Sequence, residues 1–400
     1  MSACSAKSSR PGPIWKQLAG AAGWESCNVT VSGNWAEWSE RVGDNFWLSA
    51  NFLRLIGEHP QGMRSQALLL RHAATGRYVA LTLQDFTLRL DAQLPVQENL
   101  DGPPSLRRQL LGSLSPRIAV LGQLLTSGAG TVVGLDALPV RESVALLDAL
   151  SQRLTVQSNG ISAVVLKDLF ATDSDCDRAL RKRGYVDLPA DPVMELDVSG
   201  YTDLDDYLSR LSSKYRVRYR RARAKLGTIE RRPLGGELTE EQVDGLYALH
   251  RITRQGAEVN FVELDRAYLS YLVTHGRVVG YFDGNALVGF TTAVLDGSRY
   301  YAHFLGLEDS YKYSHHLYHN MLFDLLDAAI GSPATTIDYG RTALEIKSSL
   351  GAVPRNYAIL ATPRYRWASS MLPGLLSTVR KAPDWTARNP FRSPDEKMTK

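Results

Sequence analysis

Three cysteines in 400 residues exclude a disulfide framework and a zinc module: Cys4, Cys27 and Cys176 lie far apart, are odd in number and form no Cys-x-x-Cys pair. A reducing compartment such as the cytosol fits that usage. Long apolar runs are missing as well. The most apolar window, residues 118–140, is broken by Gln123, Ser127, Asp136 and several glycines, so it does not read as a bilayer-spanning helix. The first twenty residues scatter Lys7, Arg10 and Lys16 around Pro11 and Pro13, without the apolar core of an export signal. Net charge is scarce too. With 46 Lys and Arg against 42 Asp and Glu the chain carries only +4, too little for a general nucleic-acid binder. Its placement is uneven, because residues 363–400 hold eight Lys or Arg against three acids.

What is present is pattern. A chain of this length with 44% hydrophobic and 22% charged residues can bury two cores of ordinary domain size. Residues 1–40, rich in Ser, Gly, Ala and Trp, read as a loosely packed leader. Strands are predicted at 67–70, 78–83, 117–121 and 130–135, then a helix from Val140 to Leu154, a strand at 161–166, a short helix ending at Gly184 and a strand within 185–198. The order then returns. Residues 281–305 read as three strands separated by Asp283-Gly284-Asn285 and Asp296-Gly297-Ser298, which are hairpin signals. A helix at 314–330, a strand at 335–339, a helix at 342–350 and a strand at 357–362 follow. Two copies of a mixed α/β sheet predict tandem units, 41–200 and 201–365, with a basic tail from 366 to 400. Only the second copy keeps many polar residues at its strand ends, so it is the expected catalytic half.

Between the copies, residues 202–226 read as one helix, opened by Thr202 with Asp203, Asp205 and Asp206 in its first turn. Leu204, Leu208, Leu211, Tyr215, Ala222 and Leu226 form its apolar stripe, while Lys214, Arg218, Arg221 and Lys225 recur on another face. Two readings stand: a solvated helix whose cations complement its C-terminal dipole, or a phosphate-binding face, since arginine forks hold phosphate in pairs of hydrogen bonds.

The most informative run is residues 337–354, Ile-Asp-Tyr-Gly-Arg-Thr-Ala-Leu-Glu-Ile-Lys-Ser-Ser-Leu-Gly-Ala-Val-Pro. It sets a strand, a turn broken by Gly340, and a helix with one central lysine, Lys347; Thr342 and Glu345 have the spacing of a capping box. This run resembles one near the end of GNAT-type proteins grouped with the Fem-type aminoacyl transferases and polysaccharide-associated acetyltransferases. The resemblance spans roughly residues 40–365 and is strongest at 207–226 and 300–354. It implies paired GNAT domains and transfer of an acyl group to an amine, with acyl-CoA as donor or, as in the Fem-type relatives, aminoacyl-tRNA. The acceptor implied is a small molecule or a cell-envelope precursor. GNAT enzymes that use acetyl-CoA hold its diphosphate on a Gly-rich turn. Here no glycine stands between Gly306 and Gly331, and the turn reads Tyr311-Lys312-Tyr313-Ser314-His315-His316, with Ser314 read as the cap of the next helix. That departure keeps three readings open: acyl-CoA with altered contacts, aminoacyl-tRNA, or a binding protein that has lost the donor site.

Lys347 reads either as a surface lysine or as the group aimed at a developing oxyanion, and the resemblance implies a place near the reacting carbonyl or the donor phosphate. Arg341 is a candidate clamp for a phosphate or carboxylate, and Glu345 and Tyr313 are candidates for proton handling, Glu345 being alternatively only half of the capping box. His303 reads either as a core histidine or as a group facing the acceptor amine. Tyr339, Ser314, His315, Arg218 and Arg221 complete the expected donor and substrate contacts. His315 and His319 have metal-ligand spacing, but no third ligand accompanies them, so no metal is expected. In the tail, Trp367, Met371, Leu372, Leu375, Leu376 and Val379 form a greasy face with basic ends, interrupted at Pro373 and Gly374, which either packs against the core or rests a cytoplasmic enzyme on anionic lipid at the inner membrane face.

Overall fold

The computed structural model describes residues 14–88, 115–128, 130–157, 160–255, 262, 264–365 and 385–392. The first half opens with β1 (Lys16–Gln17), β2 (Trp24–Asn28), α1 (Val29–Ser32), α2 (Trp35–Val42) and α3 (Ala50–Glu58). It continues through β3 (Arg64–His72), β4 (Tyr78–Thr87), β5 (Arg117–Leu121), β6 (Val132–Val133), α4 (Val140–Gln157), β7 (Ile161–Ala171), α5 (Asp175–Lys182) and β8 (Val186–Asp187). The second half holds β9 (Val193–Asp197), α6 (Leu204–Arg210), α7 (Ser213–Leu226), β10 (Glu230–Leu234), α8 (Glu240–Gln255), α9 (Arg266–His275), β11 (Arg277–Asp283), β12 (Ala286–Asp296) and β13 (Arg299–Leu307). It closes with α10 (Asp309–Ser314), α11 (Leu317–Ile330), β14 (Thr336–Asp338), α12 (Leu344–Ser348), β15 (Val353–Arg355) and β16 (Tyr357–Pro363).

These strands build two mixed sheets. The first runs β1-β2-β3-β4-β5-β7-β16-β8 with β6 beside β4, and the second runs β10-β11-β12-β13-β14-β9-β15. The predicted α/β class with two sheet units is what the chain forms. The units are interlocked: β16, last in sequence, lies between β7 and β8 of the first sheet, and β9, which falls within the predicted first unit 41–200, lies between β14 and β15 of the second. One hydrophobic cluster also crosses the junction, packing Trp38, Trp47 and Phe52 of the first half with Tyr268, Phe290 and Tyr301 of the second. Burying aromatic surface on both sides of a boundary opposes independent motion of the halves.

Several predicted boundaries shift, each for a local reason. The stretch read as a leader contains β1 and β2, and Trp24 and Trp38 within it are fully buried; β2 pairs with β3 over five residues. Backbone pairing and buried indole surface, neither visible as periodicity, order it. The basic helix is two helices, because Leu211 and Ser212 are extended (ψ 149° and 157°) and bond to the chain segment around Pro390 and Phe391. The helix predicted to start at Ser314 starts at Leu317: Ser314 ends α10, and His316, at φ 49°, turns the chain into α11. Residues 366–384, which hold the greasy tail face, lie outside the described residues.

Candidate active site

The second sheet opens at one place. β13 and β14 run parallel but pair over only Arg299↔Thr336, Tyr300↔Ile337 and Tyr301↔Asp338, after which β13 runs on to Leu307 while the other chain turns away through Gly340 at φ 71°. A parallel pair that diverges at its C-terminal ends creates the crevice in which open α/β sheets bind ligands. Asp338 ends β14 there, and α12 follows within six residues.

Lys347 turns back from α12 onto the chain that leaves β14. It is 3% exposed, and its ammonium donates to the Tyr339 carbonyl at 2.5 Å. Burial pulls the amine down to about 7, with the neighbouring Asp338 charge opposing. Asp338 is equally buried; its Oδ1 accepts from the Gly340 N–H at 2.7 Å, while Oδ2 has no hydrogen bond and lies 3.9 Å from Arg299. Burial pushes its carboxyl up to about 7, against the pull of the Gly340 N–H and of Arg299. A carboxyl and an amine are thus driven toward the same neutral range, where either can hold or release a proton.

Around them lies a polar cluster drawn from both halves. Arg299 pairs with Glu195 of β9 at 2.7 Å, and Tyr357 donates to the same carboxylate at 2.9 Å. Arg341 binds the Asp168 carboxylate of β7 and the Asp191 carbonyl. Gly128, at φ 79°, brings the first half against Asp338: a methyl group there would stand 3.1 Å from Oδ2. Arg341 and Tyr357 also line a cavity of about 290 Å³, together with Arg181, Asp187, Asp191 and Asn356.

The other residues singled out from sequence divide sharply. Tyr339 is a core residue whose hydroxyl donates to the Leu322 carbonyl at 3.2 Å; it meets the site through its backbone oxygen. Glu345 is exposed and paired with Arg388, and no capping box forms, since Ala343, at φ 52°, caps α12 without a side-chain bond. Tyr313 is 77% exposed on α10. Ser314 bonds to the Ser310 carbonyl and to His315, and His315 stacks on Tyr311, so both finish α10 and neither caps α11. His303 bonds to the Tyr268 hydroxyl at 2.8 Å, and burial, helped by His250, pulls its imidazole down to about 3, leaving it neutral. Among the described residues no cluster of three or more His, Cys, Asp or Glu is arranged to hold a metal.

The arginine run sorts by task. Arg210, Arg216 and Arg223 serve the fold: Arg210 pairs with Asp206, Arg216 donates to the Leu211 carbonyl, and Arg223 reaches Asp324 at 2.7 Å. Lys214, Arg218, Arg221 and Lys225 are exposed along one face of α7. α7 packs on α11 through Asn320, which donates to the Ala222 carbonyl at 2.8 Å. This brings Lys225 near His316, whose imidazole burial and that cation pull down, and Arg218 near His319, whose imidazole burial, His316 and Arg218 pull down to about 4. A cationic face therefore borders the first turn of α11, where unpaired N–H groups favour anions.

Asp338, Glu195 and Asp168 were not predicted. Asp338 had a signal, a lone acid ending an apolar strand one residue before Tyr339. Glu195 and Asp168 had none, because their place depends on strands far apart in sequence.

Residues 213–348 match the family model described as an acetyltransferase (GNAT) domain. Those residues, about a third of the chain, are similar to a GNAT domain. The match runs from the first turn of α7 to the end of α12, so the basic face, the opening of β13 from β14 and Lys347 all belong to the GNAT unit. The chain is similar in structure to FemX, at 12% identity and TM-score 0.52, over 85% of this chain and 98% of that one. It is also similar to L-PGS from Bacillus licheniformis (13% identity, TM-score 0.47, 86% and 95% covered). A tandem GNAT protein from the clavulanic acid biosynthesis pathway gives 13% identity and TM-score 0.47, with 86% and 98% covered. At these identities the likeness is one of fold. No curated protein matches the chain in sequence. No helix among the described residues is long and apolar enough to cross a membrane.

Proposed function

We propose that the chain transfers an acyl group from an acyl-CoA to an amine, with the Asp338–Lys347 pair handling the protons. The observation that carries this reading is the burial of an ammonium beside a carboxyl at the open end of β13 and β14, with both groups drawn to about 7. An attacking amine must lose a proton and the leaving thiolate must gain one, and a pair poised near neutrality serves both needs. Lys347, when charged, also places a cation where an oxyanion develops.

The donor's phosphates fit the face of Arg218, Arg221 and Lys225 beside the first turn of α11, which replaces the Gly-rich turn with side-chain cations. The same face suits the backbone of an aminoacyl-tRNA, the donor kept as the second reading because the turn before α11 lacks glycine and the fold resembles FemX. The 290 Å³ cavity lined by Arg341 and Tyr357 is the place for a small or envelope-derived amine acceptor. Melting curves with acetyl-CoA, desulfo-CoA and a charged tRNA test the donor, since a ligand of the native state must raise the melting temperature. A rise with acetyl-CoA alone supports the thioester, and a rise with charged tRNA alone replaces it. No rise with any of them returns the chain to a binding protein without a donor site.

A further inference from the structure

The crevice of the second half is braced from the first half at an irregular point of β7. Along its pairing with β16, Ala171 faces Tyr357 and Lys167 faces Ile359, so β7 uses three residues, 168–170, where β16 uses only 358. Such bulges bend a strand and re-aim a side chain, and they are common beside active sites. Asp168 sits in this bulge at φ 58°, in the left-handed region that a residue with a side chain keeps only when its surroundings hold it there. The surroundings are specific. Asp168 is 3% exposed, and its carboxylate accepts from the Gly128 N–H at 3.1 Å, from Lys167 at 2.7 Å and from the Arg341 guanidinium. Lys167 also holds the Thr126 carbonyl at 2.8 Å, so one carboxylate gathers the loop that covers Asp338 and the turn that follows it.

Arg341 stands two residues beyond Tyr339, whose carbonyl receives the Lys347 ammonium. Resting on the acid–base reading above, we propose that Asp168 is a positioning residue supplied by the first half, holding Arg341 and through it the turn on which Lys347 rests. The first half is then part of the catalytic apparatus. The Lys347 ammonium bonds the Tyr339 carbonyl, whereas Asp168 bonds Gly128, Lys167 and Arg341, so an effect of position 168 on Lys347 travels through the turn.

The test uses the full chain, pulse-acetylated with acetic anhydride between about pH 5 and pH 10, with Lys347 read by peptide mass spectrometry. Asp168→Asn should admit water to the turn and raise the Lys347 midpoint by ~1 unit or more toward the ordinary lysine range. Asp177→Asn removes an equally buried carboxylate, paired with Arg181 in the same half, and should leave that midpoint in place. If Asp168→Asn does not fold, Arg341→Lys breaks the same contact and should give the same rise. A midpoint that stays at the wild-type position in the folded variant overturns the proposal, as does an equal rise in Asp177→Asn. Should wild-type Lys347 titrate with the surface lysines, the acid–base reading fails instead. Amide hydrogen exchange across residues 338–347 then decides the brace: exchange ~10-fold faster in Asp168→Asn sustains it, and unchanged exchange overturns it.

Discussion

Replacing Asp338 by Asn removes the charge that opposes burial at Lys347 while nearly preserving the side chain's size. With Asp338 present, the amine is drawn to about 7. An opposite charge a few ångströms away shifts a titration by roughly 1–3 units, so Lys347 in the variant should titrate at about 4–6. At neutral pH the wild-type amine is then about half neutral and the variant's is ~90% neutral or more, whereas an ordinary lysine is neutral in about one molecule in 2,500. A titration of lysine Cε resonances, with the Lys347 signal assigned by its loss in Lys347→Met, reads the midpoint directly. The rate offers a second reading. On the proposed proton-handling role of Asp338, the variant should lose roughly 10²–10⁴-fold in turnover and the inflection near neutral pH. A Lys347 that titrates at or above its wild-type position in Asp338→Asn refutes the pairing on which the account is built.

Three further outcomes follow from other contacts. Arg218→Ala with Arg221→Ala should raise KM for the donor by about tenfold or more and spare kcat at saturation, since both arginines are exposed on the cationic face of α7 proposed to hold its phosphates; an unchanged KM makes α7 a solvated helix only. The stability of the wild type relative to Asp338→Asn/Lys347→Met, read from urea midpoints, should be lowest near neutral pH. Asp338, raised from 3.8 to about 7, contributes stability that is complete below its unfolded pKa and lost as pH rises through 7, and Lys347, lowered from 10.5 to about 7, contributes stability complete above its unfolded pKa and lost as pH falls through 7. A difference that does not vary with pH contradicts those shifts. Gly351→Ala should cost about 2–4 kcal/mol in denaturant unfolding, because its φ is 91° and a methyl group would stand 2.4 Å from the Phe391 ring; Phe391→Ala in the same chain should recover part of that loss, and full additivity would deny the contact.

How far the chain could be read before folding depended on the range of the forces involved. The β12–β13 hairpin was legible because Asp296-Gly297-Ser298 is a local signal, and Gly297 takes the left-handed conformation, φ 55°, that such turns need. The Lys347 helix was legible from a strand, a Gly turn and a short apolar period in succession. Its capping box was not, because the Ala343 backbone and the Arg388 contact with Glu345 replaced the local pairing. No element was predicted between residues 226 and 281, where β10, α8 and α9 form, since the Leu246 and Leu249 spacing of α8 is interrupted by Gly245 and His250. The interlocking of β9 and β16 was invisible for a different reason: it is a register choice between segments more than a hundred residues apart. The site shares that fate. Lys347 could be nominated by its motif, and Asp338 lies in the same run, but Glu195 of β9 and Asp168 in the bulge of β7 reach the site only through long-range strand pairing.

The central claim is that acyl transfer runs through Lys347, and release of free CoA thiol from acetyl-CoA across a panel of primary amines, compared between wild type and Lys347→Met at matched folded concentration, tests it most directly. The expected outcome is amine-dependent thiol release by the wild type with a pH inflection near 7, and a loss of roughly 10²–10⁴-fold in the variant with its fold intact. Equal rates and equal pH profiles for the two proteins would contradict it.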